Sequence, residues 1–222
     1  MFSADEIMKS LKCLMIYLLL MALCLSTMGC DSKKESDTAD VMAGHAVVKY
    51  VVPDTLVLDI TTWTDRPSGF VIASEFDGEH VSWEKEGNSR FDYFASLNHD
   101  EGYDFYATWE MPPACPYPVK CLSVVSDADF DEQHPTGAEL CDLADICVYS
   151  MGEFVLSGYR GENVEELLFK PFALFSDYER YLWCGGIGIY LPLPTLSRTH
   201  NLTVTFSFEG WKSVSSTVHV EL

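Results

Sequence analysis

The fold class the sequence predicts is mainly β: a single β-sandwich, immunoglobulin-like or jelly-roll-like, with one or two short helical turns. Three observations predict it. Over 201–208, Leu202, Val204, Phe206 and Phe208 alternate with Asn201, Thr203, Thr205 and Ser207, the two-residue period of a half-buried strand. A second alternating run follows, with Val214, Val218, Val220 and Leu222 set against Ser213, Thr217, His219 and Glu221. Glu209-Gly210 supplies the turn between them, so the chain closes on a hairpin. Third, short apolar runs broken by turn residues recur upstream, whereas helical spacing is confined to fragments.

The remaining elements follow in order. Strands are expected over 47–52 and 55–62, parted by Pro53, with Leu56, Leu58 and Ile60 inward. Others are expected over 69–76, 103–109, 120–126, 153–159, 167–175 and 188–191. Thr136-x-x-Glu139 and Ser176-x-x-Glu179 have the spacing of a capping box. The first leads into Leu140, Leu143, Ala144 and Cys147 as a helical turn, and the second is halted by Gly185-Gly186. Residues 45–222 are enough for one sandwich with its own core.

Ahead of this domain, Lys9 and Lys12 precede an unbroken apolar run over 14–25 that exits into Ser26, Thr27 and Gly29. A membrane-spanning helix needs about 20 such residues, while an export signal needs about 7 to 15 after a basic start. Residues 1–29 are therefore expected to be a signal peptide. Asp5 and Glu6, out of place in a basic n-region, point to Met8 as the true start. Gly29-Cys30 sets a small residue directly before a cysteine at the polar exit of the run. This resembles the lipobox of bacterial lipoproteins, with Thr27 where that family prefers Leu. The resemblance implies cleavage before Cys30, acyl chains such as palmitate on its thiol and new amino terminus, and a membrane as partner through that lipid. Two or more chains make such anchoring stable.

Residues 30–44 are charged and poor in large apolar groups, so they cannot offset their ordering entropy and are expected to be a flexible tether. Asp37-Thr38-Ala39 here, and Asp54-Thr55-Leu56 beyond, resemble an O-glycosylation acceptor of some Gram-negative anaerobes. Asp31 leaves the address open: an acid there resembles an inner-membrane retention signal of enteric bacteria, while other Gram-negative groups use such acids for surface export. The outer membrane is the favoured envelope location.

The formal net charge is −20. Asp5 and Glu6 cancel Lys9 and Lys12, so losing the signal leaves it unchanged. Nucleic acid is excluded as a partner, because phosphate backbones are held by clustered Lys and Arg. Five cysteines stand in the domain. Two disulfides among Cys115, Cys121, Cys141 and Cys147, with Cys184 left over, are expected in an exported chain. Both C-x5-C spacings are too long for a usual zinc pair. Asp127, Asp129 and Asp131 carry the first three spacings of an EF-hand, yet Glu132 and Ala138 stand where Gly and Glu are required. No metal and no cofactor is expected. Ser126, Asp129-Phe130-Asp131, His134-Pro135, Gly137, Leu140 and Asp142-Leu143 are similar to uncharacterised exported lipoproteins of Gram-negative gut anaerobes. That resemblance implies a domain of unknown function and supplies no activity.

No nucleophile elbow, zinc-protease helix, P-loop or dinucleotide fingerprint is present, so no catalytic residue is assigned. The remaining signal is aromatic. Trp83, Phe91, Tyr93, Phe94, Tyr103, Phe105, Tyr106 and Trp109 lie among acids and amides, a mixture that sugar-binding surfaces use. Tyr103, Phe105 and Trp109 alternate and are expected in the core, while Trp83 and Trp211, beside charged turns, are the candidate exposed ligand-binding rings. The function this points to is an envelope lipoprotein that binds a glycan or a partner protein. A lipid-anchored glycoside hydrolase or other hydrolase is the alternative, since such an enzyme needs only two suitably spaced carboxylates.

Overall fold

The computed structural model describes residues 42–61, 68–83, 88–106, 111–160 and 166–222. The strands are β1 (Met42–Gly44), β2 (Lys49–Thr61), β3 (Gly69–Ser82), β4 (Tyr103–Tyr106), β5 (Val119–Ser126), β6 (Asp145–Ser150), β7 (Glu166–Pro171), β8 (Trp183–Pro192), β9 (Thr199–Phe208) and β10 (Trp211–Glu221). Two short helices, α1 (Ser89–Leu97) and α2 (Gly152–Leu156), and the 3-10 turns Phe172–Leu174 and Tyr178–Arg180 complete it. Among the described residues no helix is long and apolar enough to cross a membrane. Cys30 and the tether to residue 41 lie outside the described residues, as do Trp109 and the side chain of Phe105.

The expected sandwich is what forms. A five-stranded antiparallel sheet, in the order β2-β3-β8-β6-β7, faces a three-stranded antiparallel sheet, β10-β9-β5, while β1 and β4 make a small separate pair. Aromatic side chains join the two sheets: Phe76 of β3 meets Phe206 and Phe208 of β9 at 5.1 and 5.3 Å between ring centroids, and Trp183 of β8 meets Phe206 at 6.2 Å. One hydrophobic cluster runs between them and continues beneath α1. The terminal hairpin is as expected, with Val204 paired to Ser216, Leu202 to Val218, and Gly210 turning at φ 72°.

Several elements differ from expectation. Pro53 does not end a strand: 47–52 and 55–62 merge into β2, with a register shift between Pro53 and Thr55. Because β2 is at the edge of its sheet, the N–H that proline lacks costs no ladder bond. After Thr136-x-x-Glu139 a hydrogen-bonded turn over 141–143 does form, but it leads into β6 rather than into a helix. Glu139 accepts hydrogen bonds from Ser123 Oγ and Val124 N rather than capping a helix. Strand β6 lies between β8 and β7, so Ile146, Cys147 and Val148 are all buried and the run does not alternate. Conversely, 153–159 begins as helix α2, packed so closely on the following turn that a Cβ at Gly152 would sit 2.0 Å from the Tyr178 carbonyl. Ser176 and Glu179 do form a reciprocal capping box, at 2.6 and 3.3 Å, but it heads a single 3-10 turn. Gly185 and Gly186 then fall inside β8.

Candidate functional site

Aromatic side chains from three parts of the chain meet at one edge of the sandwich, Tyr93 and Trp211 exposed and Tyr117 buried beneath them. Asn88 caps α1, its side-chain oxygen accepting from Arg90 N and Phe91 N at 3.1 and 3.3 Å. That start turns Phe91, Phe94 and Ala95 into the core against Tyr50 and leaves Arg90 and Tyr93 outside. Tyr93 is 58% exposed and packs on Phe94 at 5.4 Å. Phe94 meets Tyr117 edge-on at 5.9 Å, and Tyr117 stacks on Trp211 at 4.9 Å with only 6° between the planes. Trp211 begins β10, donates its Nε1–H to the Pro53 carbonyl at 2.8 Å, and remains 37% exposed. Its indole is thus fixed on one face and at one edge. Burial pushes the Tyr117 hydroxyl above its ordinary value, and Tyr93 adds to that shift.

Two cations bordering this surface are paired with carboxylates. Arg90 meets Glu79 at 2.6 Å and lies over the Phe94 ring, while Lys212 pairs with Asp54 at the β2 bulge. Asn98, which ends α1, is buried and donates to the Phe94 and Pro116 carbonyls at 2.9 and 3.0 Å. Of the two tryptophans expected to be exposed, only Trp211 is open. Trp83 is half-buried and packed against the core, its backbone N–H donating to the Val48 carbonyl at 2.9 Å.

A buried polar centre was not legible in the sequence. Asp100 is fully buried and accepts three hydrogen bonds: Ala46 N–H at 2.8 Å and Tyr159 O–H at 3.0 Å on Oδ1, and Val47 N–H at 2.8 Å on Oδ2. His45 Nδ1 donates to the Asp100 carbonyl. Tyr159 in turn packs with Tyr103 and Phe154, the three ring centroids 5.0 to 5.7 Å from one another. Burial raises the Asp100 carboxyl above the usual range despite its donors, and burial with the nearby Asp100 raises Tyr159. With no surface open to a substrate, Asp100 acts as a latch on the first residues of the domain. Its signal was a lone acid in a polar stretch, indistinguishable from a solvated loop residue.

The acidic loop is likewise internally bonded. Asp127 accepts from Asn201 N and Nδ2, Asp129 from Thr136 N and Oγ1, and Asp131 from Gln133 N and His134 N, at 2.6 to 2.9 Å. These bonds hold Asp127 and Asp129 below the usual carboxylate range. No group of three or more metal-ligating side chains is found among the described residues. Ser126 and His200 form a serine–histidine contact of 2.8 Å, but both are buried. His200 Nε2 donates to the Ser197 carbonyl at 2.9 Å, where an orienting carboxylate would be needed.

The expected disulfides are corrected: Cys115, Cys121, Cys141 and Cys147 all stand as thiols. Cys115 N–H bonds the Trp183 carbonyl, while Cys147 pairs with Gly188 and Ser150 with Trp183. Cys115 therefore lies on the edge of β8 opposite β6, two strand spacings or about 10 Å away and offset along the strands from Cys147 as well, beyond the roughly 7 Å a disulfide tolerates. Cys121 and Cys141 lie instead on the three-stranded sheet side, at the edge of β5. In comparisons with known proteins, no family model matches this chain, no curated protein matches it, and no solved structure matches it.

Proposed function

We propose that this protein is a lipid-anchored envelope lipoprotein whose sandwich binds a neutral glycan on the Trp211 surface. The observation that carries the binding part is the Trp211–Tyr117 stack, a ring held at 4.9 Å on its neighbour and pinned to Pro53 yet more than a third exposed. A pyranose offers a flat face of C–H groups to such a ring, and a pre-fixed indole loses little conformational freedom on contact. The flanking Arg90 and Lys212 are already paired with carboxylates, and the chain carries −20 overall, so acidic polysaccharides are disfavoured. Anchoring rests on the signal sequence and Cys30, which would hold the domain at the membrane on a tether of residues 30–44.

A glycan array with the purified protein tests the binding. Neutral hexose or pentose oligomers are expected to score, and Trp211→Ala to weaken them about tenfold in a variant that still folds, since the ring stands at the surface and its loss opens no cavity inside the sandwich. An empty array together with stoichiometric capture of an envelope protein through the same surface would replace the glycan with a protein partner. For the anchor, palmitate labelling is expected in the native chain and absent in Cys30→Ala.

The hydrolase reading has one specific observation behind it. Burial, with repulsion from Glu179 and Glu153, raises Glu166 above the usual carboxylate range. Burial would also raise Glu179, yet Lys170 and the Ser176 N–H hold it below that range. Opposed shifts are what an acid and a base require. Both Glu179 oxygens are already occupied, however, by Lys170 Nζ at 2.5 Å and Ser176 N at 2.6 Å, which favours a structural role. Polysaccharide hydrolysis abolished by Glu166→Gln would reverse the ranking.

A further inference from the structure

We propose that Cys121 and Cys141 are a reversible dithiol pair that closes to a disulfide across the outer edge of β5. The bridge between Val125 and Glu139, with Leu140 N–H donating to the Val124 carbonyl at 2.8 Å, lays the segment after Ala138 antiparallel to β5. Continuing that register sets Cys141 beside Ser123 and diagonal to Cys121, on the neighbouring same-face position. The side chains converge further. Both sulfurs contact one carbonyl oxygen, that of Leu122, Cys121 Sγ at 3.5 Å and Cys141 Sγ at 3.1 Å. The backbone can supply the remaining approach at both ends, since β5 has a register shift between Val119 and Cys121 and Cys141 opens a turn. Access is unequal: Cys121 is exposed and Cys141 partly buried.

The order of chemistry follows from that inequality. Cys121, as its thiolate, attacks a disulfide oxidant such as oxidised glutathione; the S–S bond of the oxidant breaks, one thiol leaves, and a mixed disulfide forms on Cys121. Cys141 is the resolving thiol. Burial above all keeps it protonated, its S–H directed at the Leu122 carbonyl, until it attacks and its proton passes to water. Its sulfur bonds to that of Cys121 and expels the second thiol. Two thiols have then given up two electrons and two protons, which convert the oxidant disulfide into two thiols.

The full chain should be incubated with oxidised glutathione, alkylated without reductant, digested and analysed by mass spectrometry. A peptide pair joined through Cys121 and Cys141 is expected, two hydrogens lighter than the separate peptides and absent after reduction. In Cys141→Ser the glutathione adduct should persist on Cys121, a readout independent of whether the closed form is stable. Finding Cys121 and Cys141 both alkylated after oxidation would overturn the proposal. So would a link from either of them to Cys115, Cys147 or Cys184.

Discussion

His134 is held between two carboxylates, Nδ1 at 2.7 Å from Asp131 and Nε2 at 3.1 Å from Asp142. A neutral imidazole has one N–H, so one ring nitrogen would turn its lone pair on an acid; the two carboxylates favour the imidazolium. The hydrogen bond to Asp131, then that to Asp142, raises its pKa above the ordinary value near 6.5, against the opposing effect of burial. Because the folded value is the higher one, this stabilisation is complete below about pH 6.5 and is lost as pH rises through the raised value. Urea midpoints of the native chain and of His134→Gln should therefore differ most in mild acid and converge in alkali. A gap independent of pH would show that the clamp does not titrate. Asp100 makes a larger and more local contribution. Asp100→Ala leaves two buried N–H groups and the Tyr159 hydroxyl without their acceptor, at a cost of about 3 kcal/mol in stability. A loss under 1 kcal/mol by equilibrium unfolding would contradict the latch.

At the scale of elements, the β2 bulge explains both what a reader of the sequence sees and what is missed. Pro53 looks like a break because a proline inside a strand usually is one. It is tolerated here because β2 is an edge strand and Gly78 stands opposite. A Cβ at Gly78 would lie 2.0 Å from the Val52 carbonyl, so Gly78→Ala should cost roughly 2 to 3 kcal/mol. Pro53→Ala should stay within about 0.5 kcal/mol, and thermal unfolding of the two variants separates them. The terminal hairpin was legible because each strand buries one face, which writes a two-residue period into the sequence. Strand β6 was not, since burial on both faces erases that period and leaves an apolar run that suits a helix equally well. Helix α1 did carry a signal, Phe91, Phe94 and Ala95 at helical spacing behind Asn88. The same density of aromatic residues suits a binding surface equally well, so the spacing alone does not single out a helix.

For the whole molecule, a two-sheet sandwich brings to one surface residues far apart in the chain: Arg90 and Tyr93 from α1, Tyr117 from the segment before β5, and Trp211 from the last hairpin. Trp211 could be singled out because it is a large ring beside a charged turn. Tyr117 could not, because its partner is 94 residues away and no local pattern records a stack between strands. Trp83 is less open than Trp211, as nearby charged residues do not prevent a ring from packing partly onto the core. The most direct measurement of the central claim is a calorimetric titration of the native chain and Trp211→Ala with neutral oligosaccharides, using cellohexaose, xylohexaose and mannohexaose as probes. Saturable binding to at least one of them by the native chain, weakened about tenfold by Trp211→Ala while the variant remains folded at the assay temperature, is the predicted result. Binding of equal strength in both proteins, or heat from neither with any of the three, would contradict it.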